Sequence, residues 1–126
     1  MPRLCLALLI LFGICQPVAG QYIINQPETV IYDSAYQRYL VSNMVNGDIV
    51  QIDRYGSYSI FSDVLQRVHG MAISGNTLYV SSNAGSTAGV VGFDLTTAEI
   101  VYQLPTVTYG ENGLATDTSG HVFISD

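Results

Sequence analysis

Hydrophobic positions along the chain fall into short runs separated by Asp, Gly, Asn and Ser, and the runs return in the same order. One phrase occurs three times. Glu28-Thr29-Val30-Ile31-Tyr32-Asp33 is followed by Tyr39-Leu40-Val41-Ser42, and His69-Gly70-Met71-Ala72-Ile73-Ser74 by Leu78-Tyr79-Val80-Ser81. Asn112-Gly113-Leu114-Ala115-Thr116-Asp117 is followed by Val122-Phe123-Ile124-Ser125, and the offsets between copies are 41 and 43 residues. Each copy predicts a short strand, a turn and a second strand. The second strand is apolar on consecutive residues, as expected where both faces of a sheet are covered.

The turns support this reading. Asp117-Thr118-Ser119-Gly120 places Asp first and Gly fourth, as a type I turn prefers, and Ser74-Gly75-Asn76-Thr77 is a shorter glycine-based turn. Third strands are predicted at Asp48–Asp53 and Val90–Asp94, again 41 or so residues apart, and more polar fourth strands at Ser57–Phe61 and Glu99–Gln103. β-branched and aromatic residues dominate these segments, and no amphipathic helix of useful length is present. Four short strands per repeat of this length are the pattern of a β-propeller blade, so the expected fold class is all-β, with blades of four antiparallel strands.

The N-terminus interrupts the pattern. Met1-Pro2-Arg3 is a short positive start, Leu4–Cys15 is an apolar run, and Val18-Ala19-Gly20 supplies small residues before a cut. Residues 1–20 therefore read as a secretory signal peptide, and the apolar run is too short for a membrane span, which needs about 20 residues. The expected domains are this leader and, over 21–126, part of a propeller, in a secreted protein of the extracellular space or periplasm. Cys5 and Cys15 leave with the leader, which excludes disulfides, a catalytic cysteine and Cys-rich zinc sites from the mature chain. About two and a half repeats remain, whereas closed propellers use about 4 to 8 blades. The chain is therefore expected to be the N-terminal part of a longer propeller.

Charge narrows the partners. The formal net charge is −6, and the four basic residues, Arg3, Arg38, Arg54 and Arg67, stand singly. Without a basic stripe to neutralise phosphates, nucleic acid is excluded as a partner. Asn83-Ala84-Gly85-Ser86-Thr87-Ala88-Gly89 is glycine-rich but lacks the Lys of a phosphate cradle and joins two strands.

The phrases Pro27-Glu28-Thr29-Val30-Ile31-Tyr32-Asp33, Gly75-Asn76-Thr77-Leu78-Tyr79-Val80 and Glu111-Asn112-Gly113-Leu114-Ala115-Thr116-Asp117 resemble the six-bladed propellers of the gluconolactonase and regucalcin family. They are also similar to NHL-repeat propellers. The resemblance covers about residues 26–126 and rests on blade motifs. It implies six blades, of which this chain supplies about two and a half, and a divalent cation, usually calcium, on the propeller axis. By resemblance, Glu28 corresponds to the Glu that opens the family's first blade, and Asn112 to the Asn of a later Asn-Gly phrase, making both metal ligands. Thr29-Val30 departs from the family's Gly-Pro after that Glu, and His69 stands at the equivalent position of the second blade. The implied substrate is a small lactone or ester. NHL-type propellers imply instead a non-catalytic module that binds protein or carbohydrate.

The repeat reaches the same residues unaided. Glu28, His69 and Asn112 share one register, which pseudo-rotational symmetry brings to one end of an axial channel. The oxygens of Glu28 and Asn112 suit a hard cation such as calcium or another divalent ion, whereas His69 suits substrate contact or proton transfer and is the catalytic candidate. Polar residues line any wet propeller channel, which is the competing structural reading of all three. Asp33, Asp53, Asp94 and Asp117 read as turn formers, and His121 as an exposed residue at the start of a strand.

Overall fold

A computed structural model describes residues 23–106 and 113–125; the expected leader, residues 1–20, and Asn112 lie outside the described residues. The chain is all-β. The first sheet comprises β1 (Pro27–Asp33), β2 (Arg38–Asn43), β3 (Ile49–Ile52) and β4 (Tyr58–Ser62), each hydrogen-bonded antiparallel to the next. The second repeats that order with β5 (Val68–Ser74), β6 (Thr77–Ser82), β7 (Gly89–Asp94) and β8 (Ile100–Pro105). A third sheet contains β9 (Gly113–Thr116) and β10 (Val122–Ser125). These are blades in sequence order, two with four strands and one described through its first two. The sheets do not close into a ring.

Local chemistry explains the meanders. Asp53 Oδ1 accepts from the amides of Tyr55 and Ser57, Asp94 Oδ1 from Thr96 and Thr97, and Asp117 Oδ1 from Ser119 and His121. Each carboxylate thus satisfies the amides of its own turn. Gly75, between β5 and β6, has φ +59°, a left-handed conformation that the absence of a Cβ makes inexpensive.

First strands stand side by side, with β5 between β1 and β9. The strand pairing then fixes which face of each blade meets its neighbour. Ile31, Leu40, Ile49 and Phe61 lie on the face of the first blade turned to the second. Met71, Ile73, Leu78, Val80, Val91 and Phe93 form the opposing face of the second. With Leu65, Val68 and Leu95 they make one continuous core, including an edge-on contact between Phe61 and Phe93 at 6.1 Å.

Arg38 adds a polar tie across the same seam. Its Nε donates to the buried Asp33 carboxylate at 2.9 Å, one Nη to Gln51 Oε1 at 2.7 Å, and the other to the Leu95 carbonyl of the next blade. Asp33 therefore does more than form a turn, since it anchors a guanidinium that crosses this seam.

The second strands show how far the burial pattern predicted from sequence extends. Leu40 and Val41 in β2, and Leu78 and Val80 in β6, are buried, whereas Phe123 and Ile124 in β10 are exposed. The apolar run is the same in all three. Leu40, Leu78 and Val80 lie in the seam between the first and second blades, where each is covered by the facing sheet. Among the described residues no helix is long and apolar enough to cross a membrane.

Candidate functional site

The two described candidates sit in matching irregularities. Pro27 faces Asn43 and Val30 faces Val41, so Glu28 and Thr29 together stand opposite the single residue Ser42. In the second blade Val68 faces Ser82 and Met71 faces Val80, which puts His69 and Gly70 opposite Ser81. Each is a β-bulge, a device that re-aims side chains at a strand end. Glu28 and His69 lie inside β1 and β5, one residue past the start of each.

A serine closes each bulge. Thr29 N–H donates to Ser42 Oγ at 2.9 Å, and Gly70 N–H to Ser81 Oγ at 2.8 Å. In the third blade Gly113 N–H donates to Ser125 Oγ at 3.2 Å. The hydroxyl satisfies an amide that the bulge removes from the strand ladder, which a buried strand end requires. Ser42 Oγ also donates to the His69 carbonyl at 2.9 Å, tying the two bulges to each other across the blade seam. Ser42, Ser81 and Ser125 close all three copies of the repeated phrase. Sequence reasoning registered them as part of the repeat and gave them no role, because a bulge has no signature in a single sequence.

Glu28 is exposed, and its carboxylate makes no ion pair or side-chain hydrogen bond among the described residues. His69 is half-buried. Its Nε2 lies 2.8 Å from Asn83 Nδ2. Which of the two groups donates follows from the tautomer of the ring and the orientation of the amide. Asn83 belongs to the glycine-rich segment that the sequence marks only as a loop; the residues Gly85–Thr87 form a single 3₁₀ turn there. The Oδ1 of Asn83 and the Oγ of the adjacent Ser82 are buried without a hydrogen-bond partner.

The same end of the blades carries Asp48, on the loop between β2 and β3. Burial and then the Asp63 carboxylate push its pKa up, and the side-chain hydrogen bond from Asn46 opposes them. Glycine is required nearby: Gly47 has φ +78°, and a Cβ there would clash with the Leu65 carbonyl. At the opposite end, His121 is exposed and donor to or partner of Asp117, Nδ1 to Oδ2, at 2.7 Å, just ahead of β10.

Glu28 and His69 thus occupy one register on adjacent first strands, as the repeat predicts. Asn112 would precede Gly113 and lies outside the described residues. Among the described residues no three His, Cys, Asp or Glu side chains are grouped closely enough to hold a metal ion. A carboxylate such as that of Glu28 suits a hard cation on chemical grounds, and the His69 ring is turned to Asn83. No protein-family model and no curated protein sequence matches the chain.

Proposed function

We propose that this chain is part of a secreted β-propeller that hydrolyses a small lactone or ester, with a calcium ion held at the axial end by Glu28 and Asn112. The observation that carries the reading is the equivalent placement of Glu28 and His69 in serine-closed bulges of adjacent first strands. When bound, a divalent cation would polarise the carbonyl and acidify water. The residues of the chain divide the remaining work. Glu28 presents an exposed carboxylate with oxygen ligands suited to such a cation. His69 presents its Nδ1 edge for hydrogen bonding or proton transfer with the substrate, and Asn83 holds the ring by Nε2. Ser42 fixes the His69 backbone through its carbonyl.

Calorimetric titration with calcium chloride tests the reading. Wild type should bind calcium with a dissociation constant near or below about 10⁻³ M, the weak end of protein calcium sites, and Glu28→Gln should bind at least about tenfold more weakly. Absence of binding at millimolar calcium, or equal binding by the variant, leaves the non-catalytic module as the better account.

A further inference from the structure

The turn between β2 and β3 holds a reactive dipeptide that the fold itself demands. Gly47 is buried in the left-handed region, and a Cβ there would run into the Leu65 carbonyl, so position 47 takes only glycine. The residue before it is Asn46, which is exposed. Asparagine followed by glycine is a sequence prone to deamidation, because nothing on the glycine Cα hinders its nitrogen from reaching the side-chain carbonyl of the asparagine. The requirement for glycine thus sets a chemical liability at the end of the blades that carries Glu28 and His69.

The reaction is a hydrolysis that passes through a cyclic imide. The Gly47 nitrogen loses its proton to solvent base and its lone pair bonds to Cγ of Asn46. The Cγ–Nδ2 bond breaks, and Nδ2 takes a proton from water and leaves as ammonia. Water then opens the imide at either carbonyl, returns a proton to the nitrogen, and leaves Asp or isoaspartate at position 46.

The fold opposes the first stage in three ways. Gly47 N–H donates to the Asn43 carbonyl at 3.0 Å, so deprotonating that nitrogen breaks a hydrogen bond. Asn46 Nδ2 donates to Asp48 Oδ2 at 2.6 Å while Asn46 Oδ1 accepts from the Asp48 amide at 3.2 Å, so both ends of the side-chain amide are engaged. Expelling Nδ2 forfeits the bond to the carboxylate, the stronger kind because its acceptor is charged. Charge is the third. The attacking nitrogen and the intermediate are anionic, and they form beside the Asp48 carboxylate, which burial and then Asp63 already disfavour.

We propose that Asn46-Gly47 is a latent modification site that Asp48 keeps closed: the amide persists while the Asp48 carboxylate accepts from it, and converts to Asp or isoaspartate when the turn opens. Conversion replaces a donor and acceptor by two facing carboxylates. As isoaspartate it also lengthens the backbone beside the tightly packed Gly47, so an opened turn does not re-form as it was.

Trypsin isolates the site in the peptide between Arg38 and Arg54, apart from the Asn112-Gly113 dipeptide. Tandem mass spectrometry of that peptide after incubation in mildly alkaline buffer reads conversion at Asn46 separately from Asn43. Folded wild type should convert at least about tenfold more slowly than the same chain in urea, the factor expected from one hydrogen bond to a charged group. Asp48→Ala should convert about tenfold faster than wild type in buffer, and Asp48→Asn, which keeps an oxygen acceptor, should stay within about threefold of wild type. Circular dichroism establishes which variants are folded; if Asp48→Ala is not, the wild-type rate in urea stands for the open turn and Asp48→Asn carries the comparison. Equal wild-type rates in buffer and in urea overturn the proposal. So does a folded Asp48→Ala that converts no faster than wild type, or an Asp48→Asn that converts as fast as the chain in urea.

Discussion

The seam between the first and second blades and the seam between the second and third follow the same register and differ in what fills them. In the first, four strands face four, Phe61 meets Phe93, and Arg38 reaches across to Leu95. In the second, Tyr79, Val90, Tyr102 and Leu104 line an open cleft with Val122 and Ile124, and Thr116 Oγ1 donates to the Ile73 carbonyl at 2.9 Å. Apolar pattern alone therefore does not bury a residue in this fold. Tyr79 and Tyr102 stay partly exposed where only two strands face them, although Val90 beside them is buried.

Truncating the core should separate the seams most strongly. Phe93→Ala removes a wholly buried ring from the filled seam and should cost about 3–5 kcal/mol in urea unfolding. Tyr102→Ala, in the open seam and 43% exposed, should cost less than half as much. Equal losses would mean that the cleft is as well packed as the core.

Breaking the Arg38 tie comes next. Arg38→Ala leaves the Asp33 carboxylate buried without its cation and should cost about 3 kcal/mol by the same assay, while Asp33→Asn with Arg38→Ala together should cost less than the sum of the two changes. Additivity would show that the pair is not coupled. The bulge serines give a smaller contrast. Ser81→Ala strands the buried Gly70 amide and should cost about 1–2 kcal/mol, and Ser125→Ala, at an exposed position, a few tenths.

The smallest effects are those of pH. Asp117 is held below its usual pKa chiefly by the His121 side chain and then by backbone amides, and Asp94 by the amides of Thr97 and Thr96. A depressed folded pKa stabilises above the unfolded value near 3.8 and is lost as pH falls through the folded one. Acid should therefore loosen these turns first below that point, as NMR shifts of the turn amides would show. Asp48 runs the other way. Its raised pKa means its contribution is greatest below about 3.8 and lost as pH rises through the folded value, so Asp48→Asn should unfold at slightly higher urea than wild type at neutral pH.

These contrasts also mark what a single sequence can disclose. The strands were legible because period and turn chemistry are local, and the shared register of Glu28 and His69 followed from the repeat offset. Asp33 read as a turn former because its full role depends on a carbonyl 57 residues beyond Arg38. Asn83 was passed over inside a glycine-rich loop, since its partner His69 is 14 residues away on another strand. The exposure of Phe123 was invisible because Val122-Phe123-Ile124 reads like the buried runs of the other blades. Such contacts are set by tertiary placement, which no periodicity encodes.

Amide hydrogen exchange tests most directly the claim that one register builds both seams and that the filled seam holds the core. The amides of β6 and β7, and that of Gly70 beneath Ser81, should exchange only through global unfolding, with protection falling together as urea rises. Those of β9 and β10 should exchange orders of magnitude faster through local opening, at a rate insensitive to Phe93→Ala. Equal protection in β6 and β10 would contradict the account.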